Sequence, residues 1–310
     1  MNERICTRRE ALARMAALAG SSFAGRSGEA AVPSGYQPVL SVQAYIWIQH
    51  FEAAKKSFAD GIEEMLAGFQ RAGYTNVDLN DSFVDSNLRE RTLGLLKKYG
   101  LKMPTFYANS TLHEARMAEH SIKTIVELAQ ATKEAGVRGI VTNPSPKPNQ
   151  GRKSDEELAT QARYLNQLGA ELQKLGIRLM VHHHTPELVE NAREWRHELA
   201  NTDPKLVGCC VDIHWAYRGG QEPMAFLREV GSRLESLHLR NSKGGVWMED
   251  FNDGDLDFHQ VAEYLRKTSY HGFLVVELAY EKGTTVTRSL EEDLRLSQLY
   301  AEKVFGLKSS

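Results

Sequence analysis

Gly139-Ile140-Val141-Thr142 is a short apolar run rich in β-branched side chains. The amphipathic segment Glu156–Leu175 follows it, and then comes Arg178-Leu179-Met180-Val181-His182-His183-His184. Short apolar runs predict buried strands, whereas the longer segment between them has the spacing of a helix. Gly176 stands just after the helical segment, where a left-handed cap is common. This order predicts two parallel strands joined by a right-handed crossover.

The same alternation extends in both directions from this unit, until eight strands are reached. Gly73, Gly100 and Gly136 follow other helical segments in the same way. The predicted strands are Val39–Trp47, Asn76–Leu79, Lys102–Tyr107, Gly139–Thr142, Arg178–His184, Gly208–His214, Ser236–Arg240 and Phe273–Leu278. The clearest helical segments are Gly61–Ala72, Ser121–Ala135, Glu156–Leu175, Leu256–Lys267 and Leu290–Phe305.

Repeated pairs of strand and helix predict an α/β fold, with a single (β/α)₈ TIM barrel over residues 36–308. Eight such units in about 270 residues match the usual size of this barrel. The alternative is a doubly wound open sheet, which normally carries a glycine-rich phosphate loop after its first strand. Residues Val42–Trp47 contain no glycine, so the sequence favours the barrel.

The composition excludes several classes of function. The chain has 310 residues and a formal net charge of −2 at pH 7, which gives it no basic surface for nucleic acid. No stretch reaches the roughly 18 apolar residues that a membrane helix needs. Cys209 and Cys210 are adjacent, so no disulfide framework is visible. We therefore expect a small-molecule partner, with no nucleic acid and no membrane.

Residues 1–30 differ in composition from the rest of the chain. Arg8 and Arg9 precede a weakly apolar Ala/Leu/Met stretch, and small residues follow at Ser21–Gly25. Twin arginines in this context predict a twin-arginine (Tat) signal segment and export to the periplasm. Arg14, inside the apolar stretch, favours the alternative of an ordinary amphipathic or disordered N-terminus on a cytoplasmic protein.

Histidines, acidic residues and an arginine stand at the carboxyl ends of the last four predicted strands, where barrel active sites are found. Side chains alternate along each strand between the barrel interior and the surrounding helices. Leu179 and Val181, for example, belong to the helix-facing set, so their neighbours face inward. The inward set predicted by this alternation is His182, His184, Asp212, His214, His238, Arg240 and Glu277.

Four of these residues, His182, Asp212, His238 and Glu277, are the predicted metal ligands. Any one of them alone is more readily explained as a hydrogen-bonded interior residue, but four at one depth on consecutive strands is a rarer coincidence. A buried carboxylate needs a partner, which one shared ion supplies. Imidazole combined with carboxylate suits Mn²⁺, Zn²⁺, Co²⁺ or Fe²⁺ better than Mg²⁺ or Ca²⁺. Mn²⁺ is the ion we favour.

Over nearly all of Pro38–Gly306 the sequence resembles the xylose isomerase-like barrels of the sugar phosphate isomerase/epimerase family. The resemblance is strongest in Val211-Asp212-Ile213-His214-Trp215, in Leu237-His238-Leu239-Arg240 and in Gly272–Glu277. Metal sites in the family generally use Glu, Asp, His and Glu from strands five to eight. The last three of these correspond to Asp212, His238 and Glu277.

The first ligand departs from the family pattern, because His182 stands where Glu is usual. The run His182-His183-His184-Thr185-Pro186-Glu187 resembles the His-x-His-x-x-Glu form of inosose dehydratase-like members. In the family's keto-sugar epimerases, two metal-bound glutamates exchange the proton on opposite faces of the substrate. The departure leaves open whether this chain works in that way, and whether His182 or His184 is the fourth ligand.

The resemblance implies a divalent-metal-dependent sugar isomerase or epimerase, acting on a keto-sugar or sugar derivative through an enediolate intermediate. The ion stabilises the charge that develops when a proton beside the carbonyl is removed. The candidate bases are Glu277, His184 and Glu187. The expected substrate contacts are Trp47, Trp215, His214 and Arg240, with Trp247 in a loop that would cover the site.

Three other functions are compatible with this pattern. A lyase or dehydratase, either inosose dehydratase-like or one that cleaves 3-keto-glycosides, would use the same enolate. An endonuclease of the superfamily would need more ligands on the early strands and a basic DNA face, which the balanced charge opposes. A non-catalytic sugar-binding barrel would leave the metal ligands without a purpose. Because dimers are common in the family, the resemblance also implies a homodimer.

Overall fold

Eight parallel strands close into a ring in a computed structural model of the protein, which describes residues 35–148 and 151–307. Arg178–Val181 pairs with Gly139–Thr142 on one side and with Val207–Asp212 on the other. The ring closes where Val39–Gln43 lies beside the last strand. The predicted (β/α)₈ barrel is confirmed. The predicted signal segment lies outside the described residues.

Helices connect the strands and cover the outside of the barrel. The barrel strands are β1 (Val39–Gln43), β2 (Asn76–Asn80), β3 (Lys102–Tyr107), β4 (Gly139–Thr142), β5 (Arg178–Val181), β6 (Val207–Asp212), β7 (Leu234–Leu239) and β8 (Phe273–Val276). The α-helices are α1 (Tyr45–Ala54), α2 (Phe58–Arg71), α3 (Arg89–Tyr99), α4 (Ala115–Thr132), α5 (Asp155–Lys174), α6 (Thr185–Asn201), α7 (Ile213–Arg218), α8 (Pro223–Val230), α9 (Phe258–Lys267) and α10 (Leu290–Phe305). Within the described ranges, no helix is both long and apolar enough to span a membrane.

Several strands end earlier than the sequence predicts, because side-chain oxygens satisfy the first N–H groups of the next turn. The strand predicted over Val39–Trp47 is wrong beyond Gln43, whose Oε1 accepts a hydrogen bond from the backbone N–H of Tyr45. At the end of β6, Asp212 Oδ1 accepts a hydrogen bond of 2.9 Å from the backbone N–H of Trp215. Helix α7 begins there, so His214 lies on a helix and not on the predicted strand.

The interior of the barrel is packed by side chains from alternate strand positions. Cys210 faces this interior, whereas Cys209 packs in the layer between strands and helices. In the same way His183 turns outward, with its ring centroid 4.6 Å from that of Trp195. The predicted alternation is therefore confirmed on β6 and just after β5. The interior apolar cluster consists of Tyr107, Val141, Met180, Cys210, Phe273 and Val275.

Gly272 precedes β8 at a point where the backbone of β7 comes close. A Cβ at this position would lie 2.2 Å from the backbone oxygen of Glu235, which cannot move without disturbing the pairing of the two strands. We expect Gly272→Ala to lower the free energy of unfolding by about 2 kcal/mol, as overpacking does. Urea unfolding measures the change.

Gly94 provides the matched control for this substitution. It is exposed within α3, and a Cβ there meets no described atom within 4 Å. Gly94→Ala should raise the free energy of unfolding by about 1 kcal/mol, because alanine favours the helix. Equal effects of the two substitutions would contradict the steric argument for Gly272.

Asp78 is a fully buried carboxylate on β2, and neither oxygen has a hydrogen-bond partner among the described residues. Burial raises its pKa from 3.8 to about 6. The folded state therefore binds this proton more tightly than the unfolded state, and stability is lost as the pH rises through this window. We expect Asp78→Asn to raise the free energy of unfolding by up to about 3 kcal/mol above pH 7, where the wild-type carboxyl must give up its proton. Near pH 4 the substitution should change the free energy of unfolding little, because the buried carboxyl is then protonated.

Urea unfolding of the metal-free wild-type and Asp78→Asn proteins at both pH values tests this prediction. The asparagine removes the charge but keeps the volume, so the two proteins differ only where the wild-type carboxylate is ionised. A gain of the same size at both pH values would contradict the assignment of the effect to ionisation.

Candidate active site

Four strands bring together His182, Asp212, His238 and Glu277, the predicted metal ligands. One potential ligand atom from each side chain lies within 4.8 Å of those of the others. His182 and Glu277 directly follow β5 and β8, and Asp212 is paired with His238 across β6 and β7. All four side chains are buried. The alternation along the strands thus places two imidazoles and two carboxylates at the carboxyl end of the barrel.

His182 has the surroundings of a metal ligand. Neither of its ring nitrogens has a hydrogen-bond partner in the described part of the chain, although the residue is only 1% exposed. Buried polar groups are otherwise nearly always paired. Burial and the neighbouring His238 hold the pKa of His182 well below its ordinary value. The imidazole is therefore neutral and offers a lone pair, and the donor set as a whole fits a divalent transition metal.

Arg240 bridges the two carboxylates of this set. Its Nη2 donates to Asp212 Oδ2 at 2.7 Å and to Glu277 Oε2 at 2.5 Å. His238 Nδ1 lies 2.6 Å from the same Glu277 oxygen. Burial by itself raises the pKa of Glu277, but the charges of Arg240 and His238 outweigh it and lower the pKa to about 2. Glu277 is thus ionised at neutral pH, as a metal ligand or a general base must be.

A cavity of about 340 Å³ lies beside this set of residues. Four of the predicted catalytic and binding residues line it: Glu277, His184, Trp215 and Arg240. The ring of Trp215 meets those of His184 and Trp247 edge to face, at centroid distances of 5.5 and 5.3 Å. The volume is within the range of small-molecule sites, and aromatic rings adjoin charged groups within it.

A hairpin after β7, formed by Ser242–Lys243 and Val246–Trp247, borders the cavity through Trp247. Trp247 Nε1 donates to His214 Nδ1 at 3.1 Å, and the backbone N–H of Trp247 donates to Glu281 Oε1 at 2.7 Å. Burial lowers the pKa of His214 to about 4, so the ring stays neutral and accepts this bond. His214 therefore positions Trp247, and His214 itself is not among the residues that line the cavity.

Residues 51–300 match the family model described as the xylose isomerase-like TIM barrel. The chain belongs to this family. Solved structures with the same fold include a sugar phosphate isomerase/epimerase from Parabacteroides distasonis, with a TM-score of 0.68, 17% identity, and coverage of 90% of this chain and 98% of that one. The 3-keto-D-glucoside 4-epimerase of E. coli aligns with a TM-score of 0.66 and 17% identity, over 86% of this chain and 100% of that one.

Curated relatives of this xylose isomerase-like barrel include two bacterial proteins. The rhizopine catabolism protein MocC of Rhizobium meliloti is 26% identical over 246 residues, which are 70% of this chain and 74% of MocC. The inosose dehydratase of Clostridium perfringens is 27% identical over 168 residues, or 48% of this chain. The match spans only 56% of that dehydratase, little more than half of its length.

Besides His214, two predicted catalytic or substrate-binding residues of this family member lie outside the cavity lining. Trp47 is on α1, 2% exposed, and its ring packs beside Phe51 and Phe69 at 5.8 and 6.2 Å. Because the chain turns into a helix after Gln43, the Trp47 ring points into the helical layer and not toward the rim, which corrects the expected position. Glu187 is buried, and its Oε2 accepts a 2.7 Å hydrogen bond from the backbone N–H of His184. Glu187 therefore holds the backbone of His184 in place.

The cavity also contains residues that the sequence analysis missed. Gln43 and Asn80 stand at the ends of β1 and β2, and Gln43 Nε2 donates to Asn80 Oδ1 at 3.2 Å. Polar residues at strand ends were the available signal for these two. Tyr45 and Ile48 offer no such signal, because they lie on a helix that the sequence analysis assigned in part to a strand. The missed lining residues are Gln43, Tyr45, Ile48, Asn80 and Asn109.

Proposed function

We propose that the protein is a divalent-metal-dependent sugar isomerase or epimerase, acting on a keto-sugar or sugar derivative. The observation that carries this proposal is the joint position of Glu277 and His184, which line one cavity beside the four-residue ligand set. Two groups able to accept or return a proton thus border the same cavity. The family and its epimerase neighbours of the same fold support this choice.

The ion would be held by His182, Asp212, His238 and Glu277. When bound, it would act as a Lewis acid that makes the proton beside the sugar carbonyl easier to remove. Two imidazoles with two carboxylates suit Mn²⁺, which we favour, and also Co²⁺, Zn²⁺ or Fe²⁺. This donor set has fewer oxygens than Mg²⁺ or Ca²⁺ sites generally offer.

Proton transfer is the task of the residues that border the cavity. Glu277 is ionised, so its carboxylate accepts the proton from the carbon beside the carbonyl, giving the enediolate. Arg240 lines the cavity, and its positive charge would stabilise the negative charge that develops on a substrate oxygen. The protonated Glu277 would return its proton to the neighbouring carbon for an isomer. For an epimer, the protonated form of His184 would donate to the other face, after which Glu277 releases its proton to solvent and the His184 ring takes one up again. Burial lowers the pKa of His184, so its protonated form is the stronger acid for this donation.

A second candidate is a carbon–oxygen lyase: an inosose dehydratase-like enzyme, or one that cleaves 3-keto-glycosides. The specific observation in its favour is His182, which stands where the family's first metal-bound glutamate is usual. Glu277 is therefore the one carboxylate among the described residues that line the cavity. The similarity to inosose dehydratases supports the same choice. Such an enzyme would form the same enediolate and then expel a β-substituent.

Deuterium exchange distinguishes these functions. Protein loaded with Mn²⁺ is incubated in D₂O with free keto-sugars, an inosose and 3-keto-glycosides, and the products are followed by NMR. Deuterium beside the carbonyl together with an epimer or isomer supports the first function, and loss of water or release of an aglycone supports the second. Metal-free protein is the control. Bound metal without exchange or product on any of these substrates would overturn both.

We also propose that the protein forms a homodimer, as is common in the family.

We further propose that the chain is exported through the twin-arginine pathway, which carries folded proteins. The arginine pair before the apolar stretch supports export. Replacing Arg8 and Arg9 by Lys should keep the protein in the cytoplasm, as measured by fractionation of a bacterial host. Equal periplasmic amounts of the wild-type and the Lys-Lys variant would contradict this export route.

A further inference from the structure

Cys210 lies against the predicted metal ligands but is not one of them. Its Sγ and one nitrogen each of His182 and His238 are all within 4.8 Å of one another. Cys210 is fully buried and has no disulfide partner in the described part of the chain. Both histidines therefore stand within reach of a sulfur donor as well as of the carboxylates.

The sequence of β6 explains this position. Cys210 and Asp212 are two residues apart on the strand, so both face the barrel interior, with Asp212 nearer the mouth. Asp212 pairs with His238, and Cys210 pairs with Ser236, one step deeper. The two imidazoles thus have carboxylate oxygens toward the mouth and a thiol toward the closed interior.

The surroundings of His182 also point to a ligand here. His182 is 1% exposed, and neither of its ring nitrogens has a hydrogen-bond partner within the described ranges. An imidazole binds a metal through one nitrogen, and His182 has a potential ligand nitrogen within 4.8 Å both of the Cys210 sulfur and of the carboxylate oxygens. Thiolate and imidazole together are a donor set that thiophilic ions prefer to one rich in carboxylates.

We propose that His182, Cys210 and His238 form a second metal position, which takes a thiophilic ion such as Cd²⁺ or Zn²⁺ and overlaps the carboxylate-containing position. On binding, the S–H bond breaks, the proton leaves to solvent and a sulfur–metal bond forms. Because both positions use His182 and His238, an ion held by Cys210 excludes Mn²⁺ from the other set. A thiophilic ion would therefore inhibit the enzyme by occupying this position.

This inference rests on the metal-binding role of His182 and His238 in the proposed function. The test uses the full chain with Cd²⁺ alone or Mn²⁺ alone, and compares the wild type with Cys210→Ser. Cd²⁺ bound by thiolate gives an ultraviolet charge-transfer band, which is read independently of activity. Cys209→Ser is the matched control, because Cys209 is equally buried on the same strand but faces the helices.

We expect the wild-type and Cys209→Ser proteins to show the band, and Cys210→Ser to lose it. Cd²⁺ affinity should fall more than about tenfold in Cys210→Ser, while Mn²⁺ affinity stays within about threefold. If the wild type binds Mn²⁺ but shows no charge-transfer band with Cd²⁺, the proposed metal position at Cys210 is overturned and the proposed function still stands. Failure of the wild type to bind either ion would overturn both.

Discussion

Replacing Glu277 by Gln is expected to lower kcat/KM by about 10³-fold on the substrate that deuterium exchange identifies. The amide keeps the size of the side chain but cannot accept a proton. It also removes the charge that Arg240 contacts at 2.5 Å and that faces His238 at 2.6 Å. The measurement is the rate of deuterium incorporation beside the carbonyl at saturating Mn²⁺, with metal occupancy determined for each sample.

Metal occupancy separates the two roles of Glu277. If Glu277 were only a ligand, excess Mn²⁺ would restore exchange in Glu277→Gln, and this result would contradict its role as a base. Glu235→Gln is the matched control, because Glu235 lies near the start of β7 and pairs with Arg178 at 3.0 Å, away from the cavity lining. It should leave the exchange rate unchanged.

Replacing His182 by Ala is expected to weaken Mn²⁺ binding by at least about 100-fold. Removing a residue that only contacts the metal ligands lowers metal affinity by up to about 100-fold, and removing a ligand should cost at least as much. The reason is that one ring nitrogen of His182 stands within 4.8 Å of the other three ligand atoms, and the ring makes no hydrogen bond within the described residues. Titration calorimetry with Mn²⁺ measures the affinity directly and needs no substrate.

His183 is the matched control for this substitution. It is the next residue and is equally buried, but its ring packs 4.6 Å from Trp195 and 5.1 Å from Phe226 in the helical layer. His183→Ala removes the same atoms and should cost stability through a cavity, yet Mn²⁺ affinity should stay close to the wild-type value. Similar losses of affinity in both variants would show that the effect comes from packing and would contradict ligation by His182.

The period of two along a strand made much of this site predictable. Apolar residues such as Val181 and Val211 mark the face that packs on the helices, so their neighbours must face the interior. That local rule separated His182 from His183. It also placed Asp212, His238 and Glu277 inside the barrel, where the structure brings their ligand atoms within 4.8 Å of that of His182.

The ends of the elements and the contacts between distant residues required the tertiary structure. The sequence alone determined that eight strands alternate with helices and which face of each strand carries the donors, because both are local periodicities. The position of Trp47 could not be determined from the sequence alone. The chain turns into a helix after Gln43, and this turn directs the Trp47 ring into the layer of helices. Only the packing of strands around the barrel sets Arg240 between Asp212 and Glu277. The same packing brings Cys210 beside His182. Both contacts join strands that are separated in the chain.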